Sequence, residues 1–156
     1  MRPDRFTLKT QEALNSAVES AAQHDHSEVS DEHLLLALLG QSEGLTRPVL
    51  EKLGADPRAL ETRLEAELGR RAKIHGGAQP QLGSDLRKTL EAAEREMTQL
   101  KDEYLSAEHV LLALAGGNSA AARALKEAGV THAKLMQALA QIRGSQRVTD
   151  QEPEGK

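Results

Sequence analysis

Apolar residues along this chain fall at helical spacing in stretch after stretch, and the densest apolar run occurs twice. Val29-Ser30-Asp31-Glu32-His33-Leu34-Leu35-Leu36-Ala37-Leu38-Leu39-Gly40 returns as Leu105-Ser106-Ala107-Glu108-His109-Val110-Leu111-Leu112-Ala113-Leu114-Ala115-Gly116, with eight of twelve positions identical at an offset of 76. Each copy predicts a short buried helix. A serine stands at the N-cap, a glutamate in the first turn meets the positive end of the helix dipole, and a glycine closes the run. A helix apolar on most of its circumference is a central one, so each copy predicts the centre of one helical unit.

The flanking pattern fills in the rest. Thr7 caps a first helix whose Leu8, Thr10, Ala13, Leu14, Ala17, Val18, Ala21 and Ala22 share a face, and Gln23 to Glu28 reads as a polar loop. Thr46 is expected to cap a short helix ending at Leu53-Gly54, and Asp56-Pro57 to start one carrying Leu60, Leu64 and Leu68. Lys73 to Leu82 turns to Gly, Gln and Pro and reads as a connector. The order then repeats. Ser84-Asp85 caps a helix with Leu86, Leu90, Ala93, Met97 and Leu100 on one face. Asn118 or Ser119 caps the helix ending at Ala128-Gly129, and Thr131 caps the last one, with Leu135, Leu139 and Ile142 buried. With no sustained period-two pattern, the expected fold is all-α: two pseudo-repeats of a four-helix motif, about eight helices, and no strand. Residues 1–143 form the domain, with repeat one about 1–72, the connector 73–83 and repeat two 84–143. Residues 144–156 are polar and read as a flexible linker toward something longer.

Composition narrows the function classes. Aromatics are 1% of the 156 residues, Phe6 and Tyr104 alone, so a base-stacking platform for single-stranded nucleic acid is not expected. A net charge of −4 also argues against a nucleic-acid backbone as partner. There is no cysteine for a disulfide or a thiolate metal site. The start lacks the apolar core of a secretory signal, and no apolar run nears the roughly 18–20 residues that span a bilayer. A soluble, cytoplasmic, membrane-free domain is expected.

Candidate chemistry is sparse. No nucleophile elbow, phosphate loop or H-E-x-x-H occurs. His24-Asp25-His26 reads either as a loop exposed to water or as two metal ligands, and the loop is the better reading, because alternating loop residues rarely supply the geometry zinc needs. His33 and His109, equivalent in the two repeats, read as packed, hydrogen-bonded residues rather than catalysts. Arg70, Arg71 and Lys73 read as solvated surface. Asp102 and Glu108 flank Tyr104-Leu105-Ser106. They are either a loop aspartate and a dipole-favoured glutamate, a role Glu32 repeats, or a negative rim beside an apolar groove.

Met1-Arg2-Pro3-Asp4-Arg5-Phe6-Thr7 running into Gln11-Glu12-Ala13-Leu14, the two S-x-E-H-x-L-L-A-L helices and Arg143-Gly144-Ser145-Gln146-Arg147-Val148-Thr149-Asp150 resemble the N-terminal domain of the ClpB disaggregase family along the whole chain. The doubled helix is shared by other Clp ATPases. The opening and the Val148-Thr149-Asp150 exit are more specific to ClpB. The resemblance implies a Clp N-domain-like fold that is not an enzyme by itself, is a monomer when isolated and binds no cofactor. ATP and Mg would belong to AAA+ modules outside this chain, which assemble as a homohexamer and work with a DnaK-type chaperone system. It implies that the domain binds exposed apolar segments of unfolded or aggregated polypeptides and passes them to the ring. The family's functional threonine, aspartate and glutamate fall on Thr7, Asp102 and Glu108. Its groove leucines fall on Ala92, Glu96 and His109, which are not leucines, so Leu86, Leu90, Met97 and Tyr104 are the substitutes for apolar surface, each also a candidate for the core. Substrate binding is therefore expected at Thr7, Asp102, Glu108, Leu90 and Tyr104. The alternatives are docking of a dedicated adaptor, as in Clp protease regulators, and a histidine-based metal protein.

Overall fold

Helix boundaries here are set mostly by caps that the local sequence dictates. In a computed structural model, which describes residues 3–74, 79–144, 149 and 151, eight α-helices follow one another. They are α1 (Leu8–Gln23), α2 (Asp31–Leu39), α3 (Thr46–Lys52), α4 (Pro57–Gly69), α5 (Ser84–Gln99), α6 (Ala107–Ala115), α7 (Ala120–Glu127) and α8 (His132–Arg143), with a 3₁₀ turn at Pro3–Arg5. The Thr7, Asp56, Ser119 and Thr131 side chains each accept from a backbone N–H in the first turn of their helix, as expected.

Two expected caps fall elsewhere. Gly83 caps α5 and Ser84 is its first residue, because Gly83 is held extended by its N–H to the Val29 carbonyl at 2.9 Å. A Cβ there would meet that carbonyl at 3.2 Å, so any larger residue would push against the Val29 backbone. Thr46 lies inside α3. The preceding Leu45 is already helical, no extended N-cap exists, and the Thr46 hydroxyl is buried without a hydrogen bond among the described residues.

The four-plus-four order is a true repeat. Asp25 and Lys101, 76 apart, both take positive φ where α1 and α5 end, at 57° and 61°. Gly54 and Gly129, each at φ 85°, turn the chain after α3 and α7. The central α2 and α6 each begin with a reciprocal cap in which the serine side chain meets the N3 backbone and a histidine side chain returns to the serine N–H. Leu34, Leu35, Leu38 and Leu39 of α2 and Val110, Leu111, Leu112 and Leu114 of α6 are sealed from water and form one continuous core.

The expectation of no strand is corrected by one small parallel pair. Strand β1 (Glu28–Val29) pairs with β2 (Gln81–Leu82), Glu28 opposite Gln81 and Val29 opposite Leu82. An isolated parallel bridge joins Phe6 to Leu105. Two residues are too few to show a period of two, so the pattern is silent about them. Both pairings cross between the halves. The segment entering repeat one pairs with the segment before α6, and the segment entering repeat two pairs with the segment before α2. Each repeat thus completes the other. The connector's residues 75–78 and most of the expected linker lie outside the described residues. Among the described residues no helix is long and apolar enough to cross a membrane.

Candidate functional site

The expected site residues converge on the loop between α5 and α6, except one. Lys101, in the left-handed region, reverses the chain after α5, and the Asp102 N–H bonds the Met97 carbonyl at 3.0 Å. The loop is then pinned to the N-terminal segment. Thr7 N–H donates to the Leu105 carbonyl at 2.9 Å, Leu105 N–H to the Arg5 carbonyl at 2.7 Å, and Arg5 Nε to the Glu103 carbonyl at 3.0 Å. Thr7, Asp102, Tyr104 and Glu108 are so brought together. Thr7 is fully buried as a cap, Tyr104 is half-buried, and Leu90 is 3% exposed in the core of α5. Leu86 and Met97 are buried too, so Tyr104 alone of the four substitutes reaches the surface.

The two carboxylates are the seat of an arginine. Arg143, the last residue of α8, donates Nη2 to Asp102 Oδ1 at 2.6 Å, Nη1 to Asp102 Oδ2 at 2.9 Å and Nη1 to Glu108 Oε2 at 2.9 Å. A two-pronged guanidinium–carboxylate contact of this kind is both strong and directional. Burial alone would lower Arg143, but the bonds and charges of Asp102 and Glu108 outweigh it and hold the guanidinium above its usual pKa. Asp102 Oδ2 also accepts from His109 Nε2 at 2.7 Å, and His109 Nδ1 accepts from the Ser106 N–H at 2.8 Å. His109 is held neutral chiefly by burial, against the pull of Asp102.

Repeat one builds the same place differently. His26 stands 76 residues before Asp102. His33 Nδ1 accepts from the Ser30 N–H at 2.9 Å, so its proton sits on Nε2, which donates to His26 Nδ1 at 2.9 Å. The neutral pair is enforced by burial, with His26 and His24 nearby, which pushes His33 down to about 4. His26 is lowered as well, first by burial and then by His24, Arg71 and Lys73. The expected exposed loop is corrected here: His24 is exposed but His26, stacked on it at 5.5 Å, is buried. The prediction of solvated Arg71 is corrected too. Its guanidinium is half-buried, bonds Ser30 Oγ at 2.6 Å and pairs with Glu32. Glu32 also accepts from the Ala121 N–H at 2.8 Å, so it caps α7 from the other half.

Sequence reasoning missed Arg143, Arg71 and His26. An arginine in the last turn of a helix is expected for the dipole alone, and its carboxylate partners stand 41 and 35 residues away. His26 was findable, since carrying the offset of 76 into the loops sets it against Asp102. The positions of the family's groove leucines are taken up otherwise. Glu96 accepts from His132 Nε2 at 2.8 Å, His109 is buried in its cap, and Ala92 packs on the core. Among the described residues no three His, Cys, Asp or Glu side chains are grouped to hold a metal ion. A cavity of about 340 Å³ where the halves meet is lined by Glu28, Asp31, Glu32, Arg71 and Asp85, so it is charged rather than apolar.

Residues 5–128 match the Clp repeat N-terminal domain. The chain belongs to the Clp N-terminal domain family. It is 38% identical over 149 residues to the chaperone protein ClpB of Mycobacterium bovis, which covers 95% of this chain and 18% of that protein. The Clp N domain thus spans under a fifth of the length of the relatives it matches. The N-terminal domain of Hsp104 from Candida albicans superimposes with a TM-score of 0.80 at 23% identity, covering 94% of this chain and 96% of that one. A ClpV N domain solved in complex with a VipB peptide superimposes at 0.72 with 22% identity, covering 94% and 92%. These likenesses bear out the Clp N-domain fold, and the eight helices anticipated from the pattern stand among the described residues.

Proposed function

We propose that this Clp N domain recognises clients for an ATP-driven disaggregase of the ClpB type. It captures exposed apolar segments of unfolded or aggregated polypeptides and passes them to a hexameric, cytoplasmic AAA+ ring. That ring binds ATP and Mg in modules outside this chain and works with a DnaK-type chaperone system. The observation that carries the reading is the match to ClpB chaperones along 95% of the chain. The ClpV N domain seen with a peptide supports peptide capture as a use of the same fold.

The contact surface in this reading is small and apolar. Tyr104 is half-exposed, and two exposed aliphatics adjoin in sequence the frame that holds its loop: Leu8, 38% exposed, next to Thr7, and Ile142, expected in the core but 48% exposed, next to Arg143. Thr7, Asp102 and Glu108 serve by holding the loop and its rim, Tyr104 by contact, and Leu90 by backing the surface from the core. A site that accepts many sequences cannot depend on one set of hydrogen bonds. It gains instead from removing apolar area, about 25 cal/mol per Å². A patch of a few hundred Å² binds weakly once the cost of association is subtracted, and copies on a ring restore avidity through effective concentration.

Titration of the domain with a permanently unfolded protein, its folded form and a panel of folded candidates tests this. Weak, saturable binding to the unfolded form alone is expected. Binding of a single folded partner at one-to-one stoichiometry, with none of the unfolded chain, overturns it in favour of an adaptor-docking domain.

A further inference from the structure

Beyond α8 the chain comes back to its own beginning. The half-buried Gln151 accepts from the Leu8 N–H through its main-chain carbonyl at 2.8 Å, and its Nε2 lies 3.4 Å from both the Asp4 and the Phe6 carbonyl. Leu8 is the first residue of α1, and its exposed side chain belongs to the contact surface described above. Given client capture as proposed there, we infer that Gln151 is a self-bound stand-in for client main chain. It straps the open edge of the N-terminal segment, and a client must displace it.

That edge suits polypeptide of any sequence. In an extended stretch, successive main-chain groups face opposite sides. The Arg5 C=O and Thr7 N–H face Leu105 and pair with it. The Phe6 C=O and Leu8 N–H face the other way, and Gln151 meets them there. An edge of this kind takes an added strand through main-chain bonds, which every polypeptide can offer. Gln151 holds it lightly. One bond is short, the two from Nε2 are long, and the Phe6 carbonyl also accepts from Gln11 Nε2 at 3.0 Å. The fold does not need the contact either. An offset of 76 carries Leu8 onto Ser84, the exposed first residue of α5, whose N–H has no protein partner among the described residues. A first-turn N–H at the surface is answered by water, so Gln151 is an addition to the frame and not a part of it. A strap closed nine-tenths of the time weakens apparent client affinity about tenfold, and loosening it returns that affinity.

Amide hydrogen exchange at Leu8, with titration of a permanently unfolded protein in parallel, tests this on the whole chain. Gln151→Ala removes the two long contacts and keeps the carbonyl. Thr149→Gly combined with Gln151→Gly also loosens the main chain that presents that carbonyl. Neither variant touches the core. Leu8 exchange should rise roughly tenfold in the glycine variant and less in Gln151→Ala, with Ser84 unchanged in both. Affinity for the unfolded protein should rise in the same order, by about threefold or more in the glycine variant. Unchanged Leu8 exchange in both variants overturns the inference. So does faster exchange with client affinity unchanged or weaker, which would make Gln151 only a cap on α1. Binding of unfolded protein by neither the wild type nor the variants defeats client capture itself, and the strap with it. Equal binding by all three defeats the strap alone.

Discussion

The loops before α2 and α6 do one job with different chemistry. Both present a partner to a buried histidine that caps the central helix, but His26 does so in repeat one and Asp102 in repeat two. The imidazole pair is neutral and local, and it leaves the buried His26 Nε2 without a hydrogen bond among the described residues. The carboxylate brings a charge into the interior, and the charge must be answered, which is why Arg143 reaches across from α8. A single difference at one repeat position therefore turns a structural cap into a node joining loop, central helix and the end of α8.

The largest effect should come from breaking that node. Asp102→Ala takes from the largely buried Arg143 two of its three hydrogen bonds to the carboxylates, leaving Glu108, and takes the acceptor of the His109 N–H, and should cost about 3 kcal/mol in urea unfolding. His26→Ala removes only a neutral acceptor and should cost about 1–2 kcal/mol. Equal costs would erase the contrast between the halves. Because the entrance segments cross-pair, both variants should still unfold in one transition. Two separate transitions would mean that the halves are independent.

Acid sharpens the comparison next. His33 titrates at about 4 when folded against 6.5 when unfolded, so the unfolded chain binds more protons between those values. Stability is complete above about pH 6.5 and falls as pH drops toward 4, by roughly 1 kcal/mol per pH unit where the fall is steepest. His26 and His109, both lowered, act in the same direction. Replacing His33 with Gln should flatten that fall, and an unchanged pH profile would remove the pair from the account.

Why this contrast was only half visible in the sequence is a matter of range. The doubled helix, its serine and histidine, and the caps at Thr7, Asp56, Ser119 and Thr131 are written within one turn of chain, and they stand where expected. Thr46 and Ser84 are equally good capping residues that lose to tertiary geometry, an inherited helical turn in one case and a strand contact in the other. Arg71, Arg143 and the crossed pairings link residues dozens of positions apart, and no local pattern encodes them. Asp102 and Glu108 stand out by resemblance, but nothing in the sequence says that an arginine occupies them.

A smaller effect belongs to the frame's edge. Thr7→Ala loses the α1 cap and should cost about 1 kcal/mol, read by thermal unfolding. A cost well above that would give Thr7 a further role in pinning the loop.

The most direct test of client recognition is a chemical-shift map of the ¹⁵N-labelled domain titrated with an unfolded protein. Saturable shifts concentrated on residues 101–106 with Leu8 and Ile142, and absent from the matching loop 25–30 of repeat one, are the expected result. Shifts of equal size in both loops, or none in either, would contradict it.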